Sequence, residues 1–124
     1  MVYFHERSQF WNIFVIQEQR VQISPTRYRV PDICVMLGPE PNEQIFTKPP
    51  FLCVEVLSPD DRMQRMQVKI NDYLGFGVRF VWIVDPWKRK AWIHSSAGVE
   101  EVQDGLLRTK DPELIVPLVE VFGK

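Results

Sequence analysis

Phe51-Leu52-Cys53-Val54-Glu55-Val56-Leu57 decides how this chain is read. It is apolar at nearly every position, as a central strand covered on both faces should be. Its one charge, Glu55, is out of place there, because taking an ionised carboxylate out of water costs several kcal/mol, roughly, unless a cation or hydrogen-bond donors replace the solvent. A second acid repeats the anomaly: Asp32 stands in Arg29-Val30-Pro31-Asp32-Ile33-Cys34-Val35. Two such acids, each in its own strand, ask for a shared cation.

Reading outward, Ser58-Pro59-Asp60-Asp61 is expected to open a helix, with a capping serine, proline in the first turn and acids at the positive end of the dipole. Met63, Met66, Ile70, Tyr73 and Leu74 recur at helical spacing, and Gly75 and Gly77 stop the run. Arg79 to Asp85 reads as another buried strand, Pro86-Trp87-Lys88 as a turn, and Lys90 to His94 as the hairpin partner. Upstream, Phe14 to Ser24 alternates as one strand, Ser24-Pro25-Thr26 is a turn, Arg27 to Leu37 is a second strand, and Gly38 to Pro50 is a loop. Residues 3–12 form a short helix that would carry Phe4, Phe10, Trp11 and Ile13 inward. Beyond Val99 come a short strand around Glu101 and Val102, an apolar stretch from Leu114 to Val116 and a last short helix. The order is αβββαββ with a tail, an α/β pattern.

The chain has 124 residues, 45% of them hydrophobic, which suits a single domain over residues 1–124 with one core. Fifteen basic against sixteen acidic residues give a formal net charge of −1, so no global field draws the protein to nucleic acid or to an anionic membrane. Any nucleic-acid contact must then be local or metal-mediated. Cys34 and Cys53 fall inside strand-like runs and read as small buried hydrophobes, not as a disulfide framework. No apolar run reaches the ~18 residues of a membrane span, and Met1 to Arg7 lacks a signal peptide's apolar stretch. The expected compartment is the cytoplasm, away from any membrane.

Side chains alternate between the faces of a strand, so Asp32 shares a side with Val30 and Cys34, and Glu55 with Cys53 and Leu57. Neighbouring strands would bring both carboxylates together. Magnesium and manganese prefer oxygen ligands and keep several waters, so two carboxylates and a substrate phosphate suffice to hold one. Lys69 flanks the apolar stripe of its helix, from where a long stem can bring its ammonium to the acids. Arg62 and Arg65 share that flank, a basic strip suited to a phosphate backbone. The competing readings are structural: strand acids satisfied by turn amides, and a solvated lysine. His5 and His94 lack metal-ligand spacing, Asp85 is a turn residue, and Trp82, Trp87 and Trp92 serve the core or an interface. Tyr73 is a core residue whose hydroxyl could also orient Glu55.

Pro31-Asp32, Val54-Glu55-Val56-Leu57-Ser58-Pro59, Lys69 with Tyr73 and Gly77-Val78, and Val81-Trp82-Ile83-Val84-Asp85-Pro86 occur here in that order. The combination resembles the Uma-type (Uma-two) restriction-endonuclease family, within the PD-(D/E)XK nuclease superfamily, over roughly Val21 to Ile93. The resemblance implies a restriction-endonuclease-like fold, a central mixed β-sheet flanked by α-helices. It also implies divalent-metal-dependent hydrolysis of DNA phosphodiesters, with Asp32 and Glu55 binding magnesium (or manganese) and Lys69 as the catalytic lysine. The superfamily's basic motif has its lysine two residues after the second acid, where this chain has Leu57; in this branch the lysine sits on the following helix, which Lys69 matches. Relatives often carry an aspartate where Arg65 stands here, and many have a longer N-terminal region with a further glutamate, a place left to Glu6 or Glu18. Against a cutting enzyme stand a non-cleaving nucleic-acid-binding module of the same fold and an oligomeric structural or regulatory protein. A homodimer is expected, since a double-strand cut needs two sites and four tryptophans exceed what the core needs.

Overall fold

The computed structural model describes residues 2–121. In chain order the elements are α1 (Val2–Trp11), β1 (Ile13–Gln17), β2 (Val21–Ser24), β3 (Arg27–Arg29), β4 (Ile33–Leu37), β5 (Leu52–Val56), α2 (Met63–Phe76), β6 (Phe80–Asp85), β7 (Lys90–Ser95), β8 (Gly98–Glu101), β9 (Leu106–Arg108), β10 (Ile115–Pro117) and α3 (Leu118–Val121). Six strands form one sheet in the order β1-β4-β5-β6-β7-β8. Every pairing in it is antiparallel except β5 with β6, which run parallel because α2 carries the chain back across one face.

Alternation along the central strands divides the core in two. Leu52, Val54, Trp82, Val84, Ile33 and Val35 face α1 and the β9–β10 hairpin, with Phe4 of α1 stacked 5.9 Å from Trp82. Cys34, Cys53, Val81 and Ile83 face Met66, Ile70 and Tyr73 of α2. Glu55 has the parity of Cys53, so the sheet itself turns this carboxylate toward α2. Cys34 and Cys53 lie opposite each other in register as buried free thiols, their ionisation pushed up by burial, for Cys34 to about 12.

Three expectations need correction. The run from Phe14 to Ser24 is two strands: Glu18 adopts φ 54° and turns the chain between β1, which joins the main sheet, and β2, which pairs with β3 as a separate hairpin. Arg27 to Leu37 is likewise broken, at residues 30–32, where Pro31 offers no backbone N–H to a ladder. Ser58 to Asp61 closes on itself as a turn, Asp61 Oδ2 accepting the Ser58 N–H at 2.8 Å, so α2 starts only at Met63 without a side-chain cap.

Two apolar residues assigned to the core are solvated, Phe10 at 86% and Met63 at 80% exposure. Phe10 lies about 120° around α1 from the buried Phe4, at 100° per residue, so both cannot face the sheet. Strand β9 had no signal in the sequence beyond Leu106-Leu107. Among the described residues no helix is long and apolar enough to cross a membrane.

Of the two glycines expected to stop α2, Gly75 stays within the helix and Gly77 ends it. Gly77 adopts φ 115°, and its N–H reaches the carbonyls of Tyr73 and Leu74. A Cβ there would meet Pro49 Cγ at 3.0 Å. Gly77→Ala therefore combines backbone strain with a clash and should lower the unfolding free energy by about 1–3 kcal/mol, read as a reduced urea midpoint at unchanged slope.

Candidate active site

The register Ile33↔Val54 and Cys34↔Cys53, extended by one residue, sets Asp32 opposite Glu55 on the α2 face. Directly opposed residues of an antiparallel pair share a face and stand a few ångströms apart. Asp32 precedes β4 by one residue, in the bend that Pro31 forces, and is half-buried. Its Oδ2 accepts the Val56 N–H at 2.7 Å, which ties the bend to β5, and its carbonyl accepts the Glu18 N–H at 3.1 Å.

Glu55 is only 3% exposed. Both its oxygens are met from α2: Tyr73 donates its hydroxyl to Oε2 at 2.6 Å, and the Lys69 ammonium stands 3.7 Å from Oε1. Lys69 and Tyr73 are four residues apart and so emerge on adjacent turns of one helix face. The hydroxyl thus does more than fill the core. Burial pushes the Glu55 carboxyl above the usual range; the Tyr73 hydrogen bond and the Lys69 charge oppose that rise, and the negative fields of Asp32 and Asp61 add to it. Tyr73 is itself shifted upward, by burial first and then by the carboxylate it serves, so it remains a hydrogen-bond donor at all ordinary pH.

Asp32, Glu55 and Lys69 are therefore brought together, and Arg62 and Arg65 lie exposed on the same flank of α2 as Lys69. Glu6 is not: it pairs with Arg7 at 3.6 Å on α1, across the sheet. Glu18 is exposed and touches Asp32 only through its backbone. His5 is exposed on α1, and Asp85 accepts the Trp87 and Lys88 amides as a turn residue does. Asp61, expected as an acid at the positive end of the helix dipole, also acts on Glu55 through its charge because the turn after β5 folds it back. Only the tertiary path of that turn could reveal it.

Among the described residues no three His, Cys, Asp or Glu side chains converge as a closed metal cage. The donor set is two hard carboxylates, each with one oxygen anchored, Asp32 by an amide and Glu55 by Tyr73, and the other outside that hydrogen bond. This fits a hydrated magnesium or manganese ion that takes its remaining oxygens from water and substrate, and does not fit a structural zinc.

For the metal-free protein the sign of the Glu55 shift sets a prediction. A carboxyl raised above its unfolded value adds stability below the ordinary glutamate range, about 4.3, and that contribution is lost as pH rises through the folded value. Without metal, Glu55→Gln should thus melt at or above wild type at pH 8, the advantage vanishing toward pH 4. Tyr73→Phe removes a donor from the buried carboxylate and should cost about 1–3 kcal/mol at pH 8. Thermal unfolding across pH reads both; an acid serving only the architecture would make Glu55→Gln the damaging change.

The same site can be set beside known proteins. A family model named Uma2 and described as "Putative restriction endonuclease" matches residues 3–121. Among solved structures, a "putative nuclease belonging to DUF820" from Anabaena variabilis ATCC 29413 superimposes with a TM-score of 0.78 at 21% identity, over 98% of this chain and 74% of that one. No curated protein sequence matches the chain. The structural likeness shows the restriction-endonuclease-like fold, a mixed sheet with helices on both faces. The family match spans nearly the whole sequence, and the chain belongs to the Uma2 family.

Proposed function

We propose that the protein is a divalent-metal-dependent endonuclease that hydrolyses DNA phosphodiester bonds. The observation that carries this reading is Glu55, a nearly inaccessible carboxylate on a central strand, opposed by Asp32 and answered at 3.7 Å by a lysine that is itself partly open to solvent. An acid kept only for architecture would be fully matched; this one remains raised in pKa beside a second acid. That is the strain expected where a cation is meant to enter.

Asp32 and Glu55 would hold magnesium, or manganese, which when bound supplies Lewis-acid charge beside the phosphorus. Tyr73 fixes the plane of the Glu55 carboxylate and keeps Oε1 directed toward Lys69. The Lys69 ammonium, carried on a flexible stem, meets the phosphate oxygen on which charge develops or orients the attacking water. Arg62 and Arg65 neutralise neighbouring phosphates along the same helix flank. The wall of Met66, Ile70 and Tyr73 beneath the site keeps water from the back of the carboxylate, so these charges act at low dielectric.

A second reading, a module of this fold that binds nucleic acid without cutting, draws on the donor set: two acids converge, while Asp61 contributes a field and its carboxylate is engaged by the Ser58 amide. Supercoiled-plasmid nicking with and without magnesium separates the two.

Lys69→Ala should abolish nicking while leaving metal binding largely intact, since the lysine acts on the phosphate and not as a ligand. With ~10 mM magnesium and a dissociation constant near ~1 mM, linkage stabilises both wild type and Lys69→Ala by about 1.4 kcal/mol. That is roughly a 3–5 °C rise in melting temperature for a domain of this size. Glu55→Gln should show no such rise. Nicking by Lys69→Ala at the wild-type rate would move the catalytic cation elsewhere, with Arg62 the first candidate.

The enzyme is further expected to act as a homodimer, two sites being needed for two strands. Trp82 is buried and Trp11 and Trp92 half-buried, which leaves Trp87, at 72% exposure, as the tryptophan available to such a contact. Light scattering at micromolar concentration should return twice the 14.6 kDa chain mass. The 14.6 kDa value itself would refute the dimer.

A further inference from the structure

Residues 19–31 hold Arg20, Arg27 and Arg29 and no acid. In a chain of net charge −1 this is a local excess; Arg20 lies over the Tyr28 ring, and the other two meet in one place. Arg27 and Arg29 alternate onto the same face of β3 and converge on Asp72 of α2. Arg27 donates from Nη1 to Oδ1 at 3.2 Å and from Nη2 to Oδ2 at 3.0 Å. Arg29 donates from Nε and Nη2 to Oδ2 at 2.9 and 2.7 Å. One carboxylate thus answers two guanidinium groups.

Asp72 extends the flank already described, since Arg62, Arg65, Lys69 and Asp72 follow at helical spacings of three, four and three. The flank and the hairpin together present five cations, Arg62, Arg65, Lys69, Arg27 and Arg29, against Asp72, Glu55 and Asp32. The surplus is polarised. The start of α2 is preceded by the exposed acids Asp60 and Asp61, whereas β2 and β3 carry none.

A clamp holding the hairpin to α2 explains Arg29, whose side chain is 21% exposed. It explains Arg27 poorly, because Arg27 is 52% exposed and adds a second cation to a carboxylate already bonded twice. Exposed ion pairs of this kind contribute little to stability, but a half-exposed guanidinium is well suited to phosphate.

We propose that the β2–β3 hairpin forms a second wall of the DNA-binding surface, with Arg27, supported by Arg29, contacting the phosphate backbone of duplex DNA on the side of Lys69 away from Asp60 and Asp61. Asp72 holds both guanidinium groups in position and lowers their attraction for the phosphate. This deepens the nuclease reading and rests on it for the identity of the ligand. It does not require that the protein cut.

The test is fluorescence anisotropy of a labelled random-sequence duplex of about 20 base pairs in EDTA, with binding followed against salt. Arg27→Gln should weaken binding several-fold and reduce the salt slope by about 1. Asp72→Asn should tighten binding several-fold although it loosens the clamp. Arg27→Lys keeps the charge and loses the bidentate fork, so it should keep the wild-type salt slope and bind between wild type and Arg27→Gln if the role is phosphate contact, and match Arg27→Gln if the role is the clamp. The inference is overturned if wild type does not bind the duplex, if Arg27→Gln binds as wild type does, if Asp72→Asn weakens binding, or if Arg27→Lys matches Arg27→Gln. Arg27 is half exposed, so its two variants decide the matter even if Asp72→Asn fails to fold. Plasmid nicking in magnesium is the separate control: no cutting with the binding pattern intact sinks the nuclease and leaves the hairpin surface standing, and cutting that is indifferent to Arg27→Gln in a protein whose binding is equally indifferent does the reverse.

Discussion

A carboxylate on the central strand of a sheet must be answered from the layer above it, and much of this molecule is arranged around that constraint. Glu55 is met by Tyr73 at 2.6 Å and Lys69 at 3.7 Å, both from α2. For both to arrive, α2 must cross the sheet with one rotational setting, Met66, Ile70 and Tyr73 downward and Lys69 at the edge. That setting also fixes what the helix shows to solvent, because Arg65 and Asp72 are locked in phase with Lys69. The burial that makes Glu55 costly and the geometry that makes it useful have one origin.

The two faces of the sheet divide the work. The face beneath α1 and the β9–β10 hairpin is built of Leu, Val and Ile side chains around the Phe4–Trp82 stack, with no charged residue among its buried members. The α2 face carries the charged exception, Glu55, along with two free thiols that burial keeps protonated and unreactive. Stability can be drawn from one side while the other tolerates an unfavourable carboxylate, as functional sites do when the surrounding fold over-determines them.

Small interruptions set the site's dimensions. Pro31 breaks the second strand just before β4 and leaves Asp32 in a bend, where Oδ2 can accept the Val56 amide. The positive φ of Glu18 ends β1 and frees residues 21–29 to form a hairpin that leaves the main sheet and docks on α2 through Asp72. Continuous strands from Phe14 to Ser24 and from Arg27 to Leu37 would have kept these residues in the sheet plane. Arg27 and Arg29 would then have had no route to the helix.

The sequence by itself determined the central strand and its buried charge, the helix that follows, the β6–β7 hairpin and the pairing of Asp32 with Glu55. Each is written in local pattern: a continuous apolar run, a 3.6-residue period, a Pro-Trp turn, a parity of two. It also carried the family resemblance, since the ordered motifs lie within those same elements. What local pattern cannot encode is where an element stops when both sides of the stop look alike, which is why the broken strands and the late start of α2 were misread. Nor can it say which partner a charge will meet. Arg27 and Arg29 reach Asp72 across 45 and 43 residues of chain. Contacts over such distances are chosen by how the sheet and α2 close on each other, because only burial of their shared apolar face brings those side chains within a hydrogen bond's length.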